Sequence, residues 1–127
     1  VETQKAIDIN NEQALKMGLR AFVWAVRKEM LNENYEQVNQ YILQYIKEKN
    51  ISEIVIANAE GKIIYASNKK HEQSEFASLF PAEYLKKQDV SVKKIDEITL
   101  HLIAPIMALS NREGTIFMVY HTTKAKE

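Results

Sequence analysis

Apolar residues recur at helical spacing through the first quarter of the chain. Leu15, Leu19, Phe22, Val26 and Met30 follow at intervals of 4, 3, 4 and 4, the stripe of an amphipathic helix. From Glu2 to Leu31 there is no proline and one glycine, Gly18. Thr3 is the expected cap, with Ala6 and Ile7 opening the apolar pattern. A helix of about 28 residues is ~42 Å long, more than a domain of this size covers, so one end is expected to project or to pair with another helix. Asn32, Glu33 and Asn34 interrupt the pattern, and Asn34 with Gln37 reads as a capping box. A second helix is predicted to about Lys49, with Tyr35, Val38, Ile42, Tyr45 and Ile46 on its apolar face and Asn50 as a left-handed stop.

The pattern then changes period. Ile51 to Ala57 and Lys62 to Ser67 are rich in β-branched residues and flank Asn58-Ala59-Glu60-Gly61, which predicts a β-hairpin. Residues 68–88 have broken helical character, with Ser74 and Ala77 opening a turn and Pro81 dividing the run. Val90 to Ile95, Ile98 to Met107 and Thr115 to Thr122 read as three strands of an antiparallel meander, the second of them central. Ser110-Asn111-Arg112-Glu113-Gly114 forms the last turn. The predicted fold is α+β: a long N-terminal helix and a second helix packed on a five-stranded antiparallel sheet. With no repeat or linker, residues 1–127 read as one domain, helical over 1–49 and a sheet over 50–123 with a helical insert at 68–88.

Composition narrows the function. The 17 Lys+Arg balance 17 Asp+Glu, so the basic excess of a general nucleic-acid binder is missing. No cysteine is present, which removes disulfides, thiolate zinc sites and cysteine nucleophiles. No run reaches the ~18–20 apolar residues that span a bilayer. Val1, Glu2, Gln4, Lys5 and Asp8 do not read as a leader peptide, and an excised or processed chain is expected. Phosphate-loop, dinucleotide, zincin and nucleophile-elbow motifs are absent from the sequence, so no enzyme and no cofactor are expected.

Some positions carry candidate chemistry. His101 sits in the apolar run Leu100 to Ala104. It is either a pocket hydrogen-bonder sensitive to pH or a histidine on the sheet surface covered by a helix. Tyr65 and Ser67 share one face of their strand by alternation. Phe76, Phe80, Tyr84 and Leu85 are either the lid of a pocket or the cover of one sheet face. His71 and Glu75 form an i, i+4 pair with no third ligand in register, so no metal site is expected. Ala14, Gly18, Ala21 and Ala25 make a small-residue stripe that suits either a parallel homodimer or the sheet of the same subunit. Lys69-Lys70, Lys86-Lys87 and Lys124-Ala125-Lys126 read as solvated surface, the last also suited to lipid headgroups.

The hairpin Ile54-Val55-Ile56-Ala57-Asn58-Ala59-Glu60-Gly61-Lys62-Ile63-Ile64-Tyr65-Ala66-Ser67 resembles that of single Cache domains, the PAS-like extracytoplasmic sensors of bacterial receptors. Ala104-Pro105-Ile106 followed by Thr115-Ile116-Phe117-Met118-Val119-Tyr120 is similar to the family's last two strands, and Leu31 to Glu36 to the junction before its second helix. The resemblance implies a domain flanked by membrane helices in a histidine kinase or chemoreceptor, with a small molecule bound on the sheet face away from the long helix. It implies a hollow there, with Tyr65, Ser67, Asn68, His71, Phe80, Tyr84 and His101 as ligand-binding candidates. The arginine of the insert and the acid of the last strand that hold amino acids in such domains have no counterpart: the arginines are Arg20, Arg27 and Arg112, and Thr115 to Thr122 contains no acid. Two rivals share the element order: an intracellular roadblock- or longin-type module that dimerises through its sheet, and a sensor-like domain that only dimerises.

Overall fold

The computed structural model describes residues 2–48 and 50–122, with side chains from residue 12 onward except residue 48. Helix α1 spans Glu2–Leu31 as one unbroken element of 30 residues, and α2 spans Tyr35–Glu48. Strands β1 (Ile51–Asn58) and β2 (Ile63–Ala66) form the hairpin. The insert follows as a 3₁₀ turn at Lys69–His71, a single helical turn α3 (Phe76–Leu79) and a second 3₁₀ turn at Ala82–Lys86. Strands β3 (Ser91–Lys94), β4 (Thr99–Ala108) and β5 (Asn111–His121) complete an antiparallel sheet of order β2-β1-β5-β4-β3.

The helical stripe faces inward as its spacing predicts. Leu19, Phe22 and Val26 of α1 and Val38 and Ile42 of α2 are buried with Ile54, Ile56, Leu102, Ala104, Ile116 and Met118, the inner face of the sheet. Leu15, Met30, Tyr45 and Ile46 pack around them, whereas Tyr35 is exposed. The opposite face is a second apolar layer. Val55, Ala57, Ile63, Ala66, Ile103 and Phe117 meet Phe76 and Tyr84 of the insert. Strand alternation divides the two layers, since successive side chains point to opposite faces.

Several local expectations are corrected. Asn34 does not build a capping box: its amide donates to Glu29 Oε1 at 3.0 Å, and its carbonyl accepts from Val38 N. The reversal between the helices is instead made by Glu33 at φ 56°. Thr3, the expected cap, lies inside α1, and its side chain, like residues 49 and 124–126, falls outside the described residues. The stop at Asn50 adjoins residue 49 and is not described; Asn50 accepts from His121 N at 2.8 Å. The insert's helical turn opens at Phe76, not at Ser74. Strand β4 is interior as expected, flanked by β5 and β3, while the middle of the sheet is β5, because β1 returns to pair with it. The turn before it is Leu109-Ser110 alone, and Asn111 to Gly114 belong to the strand. Gly114 is needed for close approach, since a Cβ there would stand 2.4 Å from Ala57 O.

The hairpin turn forms as predicted. Asn58 Oδ1 accepts from the amides of Glu60 and Lys62, both at 3.0 Å, and Gly61 takes φ 88°. An Asx-type turn ending on a glycine with positive φ is the chemistry that Asn-x-x-Gly supplies. Both sheet edges are protected. Along β2, Gln73 N and Ser74 O bond Ile63, and the Glu72 carboxylate accepts from Ala66 N. The edge strand β3 is short and carries exposed Lys93 and Lys94.

Candidate functional site

The insert lies across the outer face because its aromatic residues have an apolar floor to cover. Phe76, Phe80, Tyr84 and Phe117 form a ring cluster with centroids 4.8–5.8 Å apart: Phe80 to Phe117 at 4.8 Å, Phe76 to Phe80 at 5.1 Å, Tyr84 to Phe117 at 5.5 Å and Phe76 to Phe117 at 5.8 Å. These tilted and edge-on contacts contribute beyond area burial, by about 0.5–1.5 kcal/mol per pair. The hollow expected on this face is filled by these side chains.

One polar pair interrupts the layer. Tyr84, 1% exposed, points its hydroxyl to His101 Nδ1 at 2.8 Å, and the His101 ring stands edge-on to Phe117 at 4.8 Å. Burial, helped by the Lys93 ammonium, holds the imidazole below its ordinary pKa, so it is neutral at pH 7. Burial, and then the Glu83 carboxylate, raises the Tyr84 phenol, which keeps its proton. With both groups neutral, the assignment in which the phenol donates to Nδ1 puts the ring proton on Nε2. Register places Lys93 of β3 beside His101 of β4, with its Nζ 5.9 Å from the Tyr84 ring and 3.5 Å from Glu83 Oε2. His101 is thus covered by the insert, whose Tyr84 is its hydrogen-bond partner.

The other candidates are dispersed. Phe80 joins the cluster, half-buried. His71 does not pair with Glu75, because its 3₁₀ turn ends there. It meets Glu53 of β1, with Nδ1 and Oε2 2.9 Å apart but off hydrogen-bonding direction, and its ring lies 5.9 Å from Phe80. Asn68 is exposed and caps the 3₁₀ turn through Lys70 N. Ser67 Oγ accepts from Ile54 N at 3.0 Å. Tyr65 faces the helices rather than the insert. Burial, then Tyr35 and Glu72, push its phenol up to about 12. Of the seven candidates, Phe80, Tyr84 and His101 form one group, His71 flanks it, and Tyr65, Ser67 and Asn68 stand apart.

Glu53, Lys93, Arg112 and Phe117 are the site residues that sequence reasoning missed. Lys93 and Glu53 could be found only from strand register. Arg112 donates to the carbonyl of Lys87 and, at 2.9 Å, to Thr115 Oγ1, so it anchors the end of the insert to β5. Among the described residues no three His, Asp or Glu groups are placed to hold a metal ion. Of the small-residue stripe, Ala14 and Ala21 are exposed, and Gly18 and Ala25 are half-buried. Met17, Trp24 and Leu31 stand exposed on the same helix.

No protein-family model matches the sequence, and no curated protein matches it. Among solved structures, an extracellular ligand binding receptor from Desulfohalobium retbaense DSM5692 is similar to it, with a TM-score of 0.47 and 10% identity. The alignment covers 85% of this chain and 23% of that one, so the chain spans under a quarter of the receptor's length.

Proposed function

We propose that the chain is the ligand-sensing extracytoplasmic domain of a bacterial signal-transduction receptor, of the single Cache, PAS-like kind and without catalytic activity. The observation that carries this reading is the Tyr84–His101 pair set among aromatic rings between sheet and insert. A neutral hydrogen-bonding pair set against Phe117, whose ring Phe80 also covers, suits an uncharged or weakly polar planar ligand. The insert holds the site closed, and the ligand binds by selecting an arrangement in which Phe80 has swung out. Strands β4 and β5 carry the change across the sheet, because His101 and Phe117 face the insert while their neighbours Leu102 and Met118 face α1. The expected setting is a homodimer with membrane helices outside residues 1–127; among the described residues no helix is long and apolar enough to cross a membrane.

The test is a thermal-shift screen of small aromatic acids, amines, nucleobases and sugars. At least one class is expected to raise the midpoint by several degrees, and Tyr84→Phe and His101→Asn to lose the response while remaining folded. No stabilising compound, or a response that both variants retain, overturns the reading. A sensor-like domain that only dimerises is the second reading, favoured by the filled outer face and by Trp24, 70% exposed on α1. Sedimentation that shows a dimer dissociated by Trp24→Ala, together with a blank screen, selects it.

A further inference from the structure

A cavity of about 140 Å³ lies on the other side of the sheet, between α1, α2 and the inner face of β4 and β5. Its wall includes Leu15, Gly18, Tyr45, Leu102, Met118 and Tyr120. We propose that this cavity is a second binding site, taking an uncharged single-ring aromatic or short branched-alkyl compound with at most one hydroxyl. It goes beyond the insert-face reading and does not depend on it.

One residue enlarges the hollow. Gly18 sits in the middle of a long helix, where alanine is favoured by about 1 kcal/mol. A Cβ built on Gly18 meets nothing within 4 Å, so close packing does not require the glycine, and the missing side chain contributes to the cavity. The volume is close to the roughly 150 Å³ of an engineered apolar cavity that binds benzene or xenon, although this hollow is open to solvent on one side, where Ala14 is exposed. The lining excludes charge. Among the described residues the wall carries no Asp, Glu, Lys, Arg or His, and burial raises the Tyr45 phenol. A charged ligand would lose hydration with nothing to offset it. The phenols of Tyr45 and Tyr120 are the polar groups of the wall, and the Tyr45 hydroxyl reaches the Gly18 carbonyl at 3.4 Å, a long and weak bond. Leu102 and Met118 are the sequence neighbours of His101 and Phe117 on the reverse of the same strands, so an occupant here presses on α1 directly.

The experiment follows methionine and isoleucine methyl resonances of the whole chain during titration with benzene and with p-cresol, with glycine and acetate as charged controls. Saturable shifts at Met118 and Ile51 are expected for both aromatic probes, with none for the charged compounds. Gly18→Leu, which fills the space and favours the helix, is expected to weaken binding at least tenfold. Ala14→Leu, on the same wall, is the second variant should Gly18→Leu fail to fold. Shifts that rise linearly without saturation overturn the proposal, as does binding that survives both substitutions. Saturable shifts confined to residues touching Phe80 and Tyr84 overturn it too, while supporting the insert-face site.

Discussion

His101 shows how one residue can be polar, half-buried and inexpensive at once. Its imidazole is desolvated by the insert and stands beside Lys93, so the folded protein disfavours the protonated form. The unfolded chain has no such bias and takes up a proton near 6.5, the ordinary value. Below that pH the unfolded state binds more protons than the folded one, and stability falls as pH drops through 6.5 towards the lower folded value. Above about pH 7.5 both states are neutral at this site and the contribution is flat. Melts of the protein and of His101→Asn between pH 5.5 and 8 check this. The wild type is expected to lose midpoint more steeply on acidification, and equal slopes would show that the imidazole is not the titrating group. Tyr84 has the complementary role. Its raised pKa keeps the donor protonated across this range, so the pair changes only through His101.

Among the elements, the β4–β5 hairpin carries an avoidable cost. Its two-residue turn puts Leu109 at φ 59° with a side chain 98% exposed. A left-handed leucine costs roughly 1–2 kcal/mol, and hairpins of this kind take glycine at the first turn position. Leu109→Gly is therefore expected to raise the unfolding free energy by about 1 kcal/mol, read as a higher urea midpoint at unchanged slope; a lower midpoint contradicts it. No sequence rule points to this turn. Asn111 to Gly114 have the composition of a turn, and strand pairing overrides it. The helices were legible because Leu19, Phe22, Val26 and Val38 repeat at one period, and the hairpin because Asn58 and Gly61 carry specific turn chemistry. The site was legible only in part. Phe80, Tyr84 and His101 stand out as polar-aromatic residues in apolar runs, but Lys93 and Glu53 reach the same face only once strand register is fixed. Tyr65 went to the wrong face of that reading because β2 pairs with β1 through a register shift between Ile56 and Ala57.

At the scale of the molecule, one sheet separates two apolar layers, one under the helices and one under the insert. Strands β4 and β5 belong to both. A change in the packing of Phe117 on one face reaches Met118 on the other across a single peptide unit. The coupling proposed above needs no mobile hinge for this reason, only two packings of the insert whose energies differ by a few kcal/mol.

The place of β5 also governs how the protein comes into being. The last of the five described strands is the one that fills the middle of the sheet, with β1 on one side and β4 on the other. Until it leaves the ribosome, those two strands have no common partner, and the growing chain holds two incomplete pieces joined by a vacant slot. Such distant pairing is slow to form. A polypeptide ending at Ser110 is accordingly expected to keep helical circular dichroism but show no cooperative melt, whereas one ending at Thr122 should melt in a single step.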